Sequence, residues 1–221
     1  MPAVRAFVFD AYGTLFDVHS VVAECRRVTA DADALSQLWR AKQLEYTWLR
    51  ALMGRYEDFW SVTDAALRFA TRRLDLHLDA AQHTRLLEAY LHLDAYPEIP
   101  KMVQALRGYP LAILSNGSPR MLNAVVEHAG LKPHLAHVLS ADAVRTYKPS
   151  PAVYALGPKH LGLPKEQIVF VSSNSFDVIG AKAFGFRVCW VNRAGAPLDE
   201  LGVAPDATVS RLDEMPKALG L

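Results

Sequence analysis

The chain is predicted to be an α/β protein: a doubly wound, mostly parallel sheet of Rossmann-like form, carrying an inserted helical cap. Three observations predict this. Short apolar runs rich in branched and aromatic residues alternate with helix-length segments through the second half of the chain. The runs at 4–9, 111–114 and 168–171 each stop at a polar cluster, as buried parallel strands do where they leave a sheet. Between the first two runs, from about Val18 to Leu93, there is almost no strand signal and helix formers dominate.

In order, residues 4–9 form a buried strand that stops at Asp10, and Gly13 with Thr14 turns the chain out of the sheet. Leu35, Leu38, Trp39, Leu44, Trp48, Leu49 and Leu52 recur at three- and four-residue steps, the pattern of an amphipathic helix. Phe59, Trp60, Val62, Ala66, Leu67 and Phe69 mark a second helix, and Leu86, Leu87, Tyr90 and Leu91 a third that ends before Tyr96-Pro97. These helices make up a cap over 16–94, leaving 1–15 and 95–221 as the α/β core. A short helix at 102–106 leads to the strand at 111–114, which ends at Ser115-Asn116-Gly117-Ser118. Ser118 before Pro119 reads as a helix N-cap, and the helix over 121–129 closes at Gly130. A short strand at 138–140 follows, then a helix opened by Lys148-Pro149-Ser150-Pro151 that runs to about Leu161. The strand at 168–171 ends at Ser172-Ser173-Asn174-Ser175-Phe176-Asp177. A helix over 179–184 stops at Gly185, a strand covers 187–191, and a weak strand at 207–209 precedes a last helix. There is no internal repeat.

Composition narrows the function classes. The 221 residues are 51% hydrophobic and 21% charged, an ordinary globular balance. A net charge of +1 implies no strong field for nucleic acid or an anionic membrane, so neither is an expected partner. Cys25 and Cys189 lie far apart without metal-ligand spacing, which fits two idle thiols in a reducing compartment. No stretch is apolar enough for a bilayer span and the first strand leaves no room for a signal peptide, so the expected location is the cytoplasm.

Three strand tips carry polar clusters: 10–14, 115–118 and 172–177. A doubly wound sheet gathers such tips along one edge, where ligands bind. Any one cluster has an ordinary explanation, because Ser, Asn and Asp end strands. All three in this order, with Lys148 between the second and third, are harder to explain as turns. Arg40 alone reads as a solvated helix residue, and Trp39 and Phe59 as core. His19 follows the first cluster but pairs with nothing at a fixed spacing.

The Asp10-Ala11-Tyr12-Gly13-Thr14 segment resembles the nucleophile loop of the haloacid dehalogenase superfamily, most of whose members are phosphatases reading Asp-x-Asp-Gly-Thr. Within that superfamily the chain resembles the L-2-haloacid dehalogenases. The resemblance runs through Phe9 to Val18, through Trp39-Arg40-Ala41-Lys42-Gln43-Leu44-Glu45-Tyr46-Thr47, through Leu114-Ser115-Asn116-Gly117-Ser118-Pro119, through Tyr147-Lys148-Pro149 to Tyr154, and through Ser172 to Asp177. It covers nearly the whole chain, and the Arg40 segment lies in the cap, the part that varies most across the superfamily.

The departures from the phosphatase pattern agree with this. Tyr12 stands where phosphatases carry their general acid, and Ser172, Ser173 and Asn174 stand where they place a metal-binding acid. A hard cation asks for several oxygen ligands. Only Asp10 and Asp177 remain, beside Lys148, so no metal or cofactor is expected and a small monoanion suits the site better than a phosphate dianion. The resemblance implies that Asp10 attacks C2 of a 2-haloacid of L (S) configuration, forming an ester that water then hydrolyses. It further implies that Arg40 receives the halide with Asn116 and Phe176. Ser115 and the N–H groups of Ala11 and Tyr12 would bind the substrate carboxylate. Lys148 would keep Asp10 ionised, and Asp177 with Asn174 would orient or deprotonate water. Thr14, Tyr154 and Ser172 would support these by hydrogen bonds, and Leu44, Phe59 and Trp39 would form an apolar wall. The resemblance also implies a homodimer paired through cap helices, as is common in the family. A magnesium-dependent phosphatase on the same fold, or a binding protein that has lost turnover, are the rival expectations.

Overall fold

The computed structural model of the protein describes residues 3–221. Its sheet is six-stranded and parallel, with β1 (Ala6–Phe9), β2 (Leu111–Ser115), β3 (His137–Ser140), β4 (Ile168–Ser172), β5 (Arg187–Val191) and β6 (Ala207–Val209) in the order β3-β2-β1-β4-β5-β6. The chain winds outward from β1 in both directions, so β1 lies at the switch point with β2 on one flank and β4 on the other. Phe9 is level with Ile113 and Val171, which places Asp10 between the tips of both neighbours. Every residue of β1, β2 and β4 is buried, which accounts for their unbroken apolar runs.

Between β1 and β2 come α1 (Val22–Cys25), α2 (Ala32–Leu52), α3 (Phe59–Arg73), α4 (Ala80–Ala89) and α5 (Ile99–Ala105). α1, preceded by a 3₁₀ turn over Val18–Val21, is too short to leave a periodic signal. Asp58 and Asp79 cap α3 and α4 through their side chains, and Gln82 returns a bond to the Asp79 N–H to complete a capping box. The outgoing and returning linkers run side by side: Phe16 bridges Ala95, Asp17 N–H donates to the Asp94 carbonyl at 2.8 Å, and Tyr96 N–H donates to the Leu15 carbonyl at 3.0 Å.

The buried stripe of α2 differs from the expected one. Leu35 and Trp39 are buried, but the stripe continues through Gln43 and Thr47, while Leu49 and Leu52 are exposed. The inward face is therefore partly polar, and its apolar count alone points to the wrong face beyond Leu44.

The remaining helices are α6 (Pro119–His128), α7 (Pro151–Tyr154), α8 (Leu156–Leu161), α9 (Ser175–Phe184) and α10 (Met215–Ala218). Ser118 caps α6 with Pro119 at its first turn, as expected. The single helix expected from Pro151 to Leu161 is broken at Ala155, because Pro158 has no N–H to give the Tyr154 carbonyl. Gly180 lets α9 approach this segment: a Cβ there would lie 2.5 Å from the Tyr154 hydroxyl and 2.6 Å from Pro149 Cβ. Both cysteines are free and buried. Among the described residues no helix is long and apolar enough to cross a membrane.

Candidate active site

Asp10 sits one residue past β1, with its N–H still held by the Val171 carbonyl at 2.9 Å. Beyond it the chain turns sharply. The Ala11 carbonyl accepts from the N–H groups of Thr14, Leu15 and Phe16, and Gly13 at φ +86° closes the loop. Among the described residues the N–H groups of Ala11 and Tyr12 have no acceptor. Asp10 is 6% exposed, and its carboxylate is held by three donors. Lys148 Nζ donates to its Oδ1 at 3.0 Å, and Thr14 Oγ1 and Asn174 Nδ2 donate to its Oδ2 at 3.1 and 2.8 Å. Thr14 can give its hydrogen to Asp10 because its oxygen is already engaged by Ser173 N–H at 2.9 Å.

Lys148 is 1% exposed and lies between two carboxylates, with Asp177 Oδ2 at 2.8 Å. Burial alone would pull its ammonium down, but Asp10 and Asp177 together hold it above the ordinary lysine value. Asp177 is pushed up to about 6: burial raises it most, Lys148 lowers it and Asp10 raises it. Its second oxygen, Oδ1, accepts from the Tyr154 hydroxyl at 2.8 Å. Tyr154 is fully buried and burial raises its phenol further above its ordinary value, so it serves Asp177 as a neutral donor.

The second cluster contributes from β2. Asn116 Oδ1 accepts from the Lys148 N–H at 2.9 Å, and among the described residues its amide Nδ2 has no acceptor. Ser115 Oγ accepts from Gly117 N–H at 3.2 Å, so its own hydrogen is available. Gly117 has no room for a side chain, since a Cβ there would stand 2.7 Å from the Tyr12 ring. Ser172 is fully buried, and its hydroxyl accepts from Asn174 N–H at 3.1 Å, shaping the turn that presents Asn174.

From the helical insert, Arg40 on α2 reaches down until its Nη2 is 3.5 Å from the Tyr12 carbonyl. Leu44, half-buried, is one turn further along α2. Phe59 at the start of α3 is buried 5.8 Å from the Tyr12 ring. Trp39 packs 4.8 Å from Tyr90 and spends its indole N–H on the Thr63 carbonyl at 2.9 Å, so it belongs to the helix–helix joint. Phe176 lies edge-on to Trp48 at 5.2 Å, beside an apolar opening of about 620 Å³ lined also by Leu52, Pro149 and Leu201. The Tyr12 hydroxyl is buried with no hydrogen-bond partner among the described residues, and burial pushes its phenol far above the usual range.

Residues that sequence reasoning did not single out complete the frame. Arg193, two positions past β5, donates to the Gly13 and Thr14 carbonyls at 3.2 and 3.0 Å, to Ser173 Oγ at 2.9 Å and to the buried Glu98 at 2.8 Å. It also stacks on Tyr96 at 3.6 Å. Arg193 obeys the same strand-tip rule as Asp10, and that position was the available signal. On the opposite side, Tyr56 from the α2–α3 loop donates to Asp142 at 2.6 Å, and the Tyr147 hydroxyl donates to the Glu57 carbonyl.

The chain is similar to known proteins over nearly its whole length. The family model for haloacid dehalogenase-like hydrolases matches residues 4–185. A curated (S)-2-haloacid dehalogenase of Pseudomonas sp. (strain YL) is 50% identical over 215 residues, 96% of this chain and 93% of the relative. A crystallised L-2-haloacid dehalogenase superposes with a TM-score of 0.97 at 45% identity over 100% of both chains. The L-2-haloacid dehalogenase of Xanthobacter autotrophicus with chloropropionic acid covalently bound superposes with a TM-score of 0.92 at 42% identity, over 98% of both chains.

Proposed function

The chain belongs to the haloacid dehalogenase-like hydrolases, and from that premise we propose that it is an (S)-2-haloacid dehalogenase, converting short L-2-haloacids to (R)-2-hydroxy acids. The observation that carries this reading is the strand-tip carboxylate of Asp10, fixed by Lys148, Thr14 and Asn174, with Arg40 lowered from the insert onto its loop. Residues 16–94 act as the cap that brings Arg40 to the core.

In the first step a lone pair of Asp10 attacks C2 from the side opposite the halogen. The C–O bond forms as the carbon–halogen bond breaks, and the electron pair leaves with the halide. Arg40 stabilises the charge that develops there, helped by the free Nδ2 of Asn116 and the edge of Phe176. A charge-assisted hydrogen bond is worth about 1.5–3 kcal/mol, and only what is gained at the transition state accelerates the step. The substrate carboxylate is held by Ser115 and the unengaged N–H groups of Ala11 and Tyr12. Leu44 and Phe59 wall the pocket.

In the second step water adds to the Asp10 carbonyl carbon and gives a proton to Asp177, raised toward neutrality and held in place by Tyr154 and Lys148. The free Oδ1 of Asn174 orients that water. The ester C–O bond then breaks on the Asp10 side, the leaving alkoxide takes the proton from Asp177, and the second proton of the water, left on the Asp10 carboxylic acid, passes to solvent and restores the carboxylate. One displacement at C2 inverts its configuration, and the second step leaves C2 untouched.

The donor set does not suit the magnesium that phosphatases of this fold use. The Lys148 ammonium already bridges the two carboxylates, and an amide N–H of Asn174 faces Asp10 where a cation would need oxygen. No step here passes through a metal. Exposed Leu49, Leu52 and Met53 at the end of α2 support pairing of two copies through cap helices. The free buried thiols support a reducing, cytoplasmic setting.

The test is a single turnover in heavy-oxygen water with enzyme in excess over (S)-2-chloropropionate. The ester route yields unlabelled 2-hydroxypropionate and puts label into the Asp10 peptide. Labelled product with an unlabelled peptide would mean that water attacks C2 directly.

A further inference from the structure

We infer that Gln43 is a positioning residue that sets the orientation of the Arg40 guanidinium, and through it the rate of halide departure. This deepens the dehalogenase reading and rests on it. Gln43 is fully buried on α2, one turn after Arg40, where an uncharged amide is an unusual occupant of an inward face.

The sense of its amide follows from its neighbours. Thr63 gives its hydroxyl hydrogen to the Phe59 carbonyl at 2.7 Å, so its oxygen is left to accept. Gln43 Nε2 therefore donates to Thr63 Oγ1, at 3.0 Å. That turns Oε1 toward the Tyr90 hydroxyl at 3.1 Å and Arg40 Nη1 at 3.4 Å. One buried amide thus ties α3, and Tyr90 just past α4, to the guanidinium on α2.

The chemistry of the partner matters as much as its place. Among the described residues Arg40 forms no ion pair with a carboxylate. A neutral acceptor holds the guanidinium without neutralising it, so its full charge is kept for the departing halide. A carboxylate at this position would orient Arg40 equally well and cancel the charge that the first step uses. Among the described residues the Gln43 side chain hydrogen-bonds Arg40, Thr63 and Tyr90 and neither Asp10 nor Asp177, so it bears on the hydrolysis of the ester through no direct bond.

The test separates the two steps by rapid mixing of excess enzyme with (S)-2-chloropropionate, following halide release and hydroxy-acid formation independently. Gln43→Met keeps length and removes the acceptor; Gln43→Glu keeps an acceptor and adds charge. Halide release is expected to slow by about tenfold in Gln43→Met, and further in Gln43→Glu, with ester hydrolysis within twofold of the parent. The loss is expected to be larger for chloride than for bromide, the better leaving group. If Gln43→Met does not fold, Thr63→Val, which removes the hydroxyl that sets the amide's sense, is expected to slow halide release selectively. Equal slowing of both steps, unchanged halide release, or a Gln43→Glu enzyme as fast as Gln43→Met would each overturn the inference. A parent enzyme that releases no halide would instead overturn the dehalogenase reading beneath it.

Discussion

The side-chain amide of Asn174 donates to Oδ2 of Asp10 at 2.8 Å, from a position where a phosphatase of this fold would carry an acid. Asn174→Asp would set two carboxylates within hydrogen-bond distance, and one of them must then take up a proton. Halide release at neutral pH is expected to fall by roughly a hundredfold or more. Steady-state rates across pH would check this, and an undiminished rate would remove Asn174 from the site.

Lys148→Met is expected to destabilise the fold by about 3–5 kcal/mol, because it leaves two buried carboxylates without their shared counter-charge. Urea unfolding at neutral pH measures the loss. The deficit should shrink as pH falls and Asp177, already raised by burial, protonates; a deficit that does not change with pH would show that packing alone was lost.

Asp177 has its ordinary carboxylate value, 3.8, raised to about 6, first by burial. Turnover is expected to fall by about tenfold per pH unit once the pH drops below that value, since in the proposed route the carboxylate form accepts the water's proton. The stability effect has the opposite sense. The folded state binds this proton more tightly, so the contribution of Asp177 is greatest below the unfolded value and is lost as pH rises through the folded one. Asp177→Asn should therefore gain on the parent in urea midpoint between about pH 4 and 6. A variant midpoint that stays level with or falls relative to the parent's as pH rises over that interval would contradict the assignment.

Arg193→Gln should loosen the nucleophile loop. It strips charged donors from the Gly13 and Thr14 carbonyls and leaves Glu98, only 4% exposed, unpaired. A loss of roughly 1.5–3 kcal/mol in unfolding free energy is expected, with a fall in kcat larger than any rise in KM. Arg193→Lys should not restore it, because a point charge cannot reach four acceptors from a planar fork.

Dialysis against a chelator is expected to leave halide release unchanged. Loss of activity that magnesium restores would return the phosphatase-type mechanism to consideration.

Much of this was legible from residue pattern. The strand tips at Asp10, Ser115 and Ser172 are marked by apolar runs that stop abruptly, and Lys148 stood out by its place between them. Arg40 is different: its spacing says only that it lies on a helix, and its resemblance to a known segment was what lifted it out. Gln43 and Arg193 were missed for a physical reason. Each is defined by partners twenty to nearly two hundred positions away, Thr63 and Tyr90 for one, Gly13 and Thr14 for the other. Periodicity records which face a residue occupies, not which distant acceptor it finds there. The helix break at Ala155 was readable from Pro158, whereas the exposed Leu49 and Leu52 show where counting apolar residues misleads.

The paired linkers at Phe16 and Ala95 have an engineering consequence. Everything between them leaves and re-enters the core at one spot, through a hydrogen-bonded ribbon with Arg193 stacked on Tyr96 beside it. The helical segment can thus be cut out and exchanged at two adjacent seams without stretching the chain or adding a loop-closure penalty. A cassette from a related enzyme, grafted at those seams, would bring its own counterpart of Arg40 and Gln43 to an untouched Asp10. Leaving-group preference would then be transplanted separately from the nucleophile.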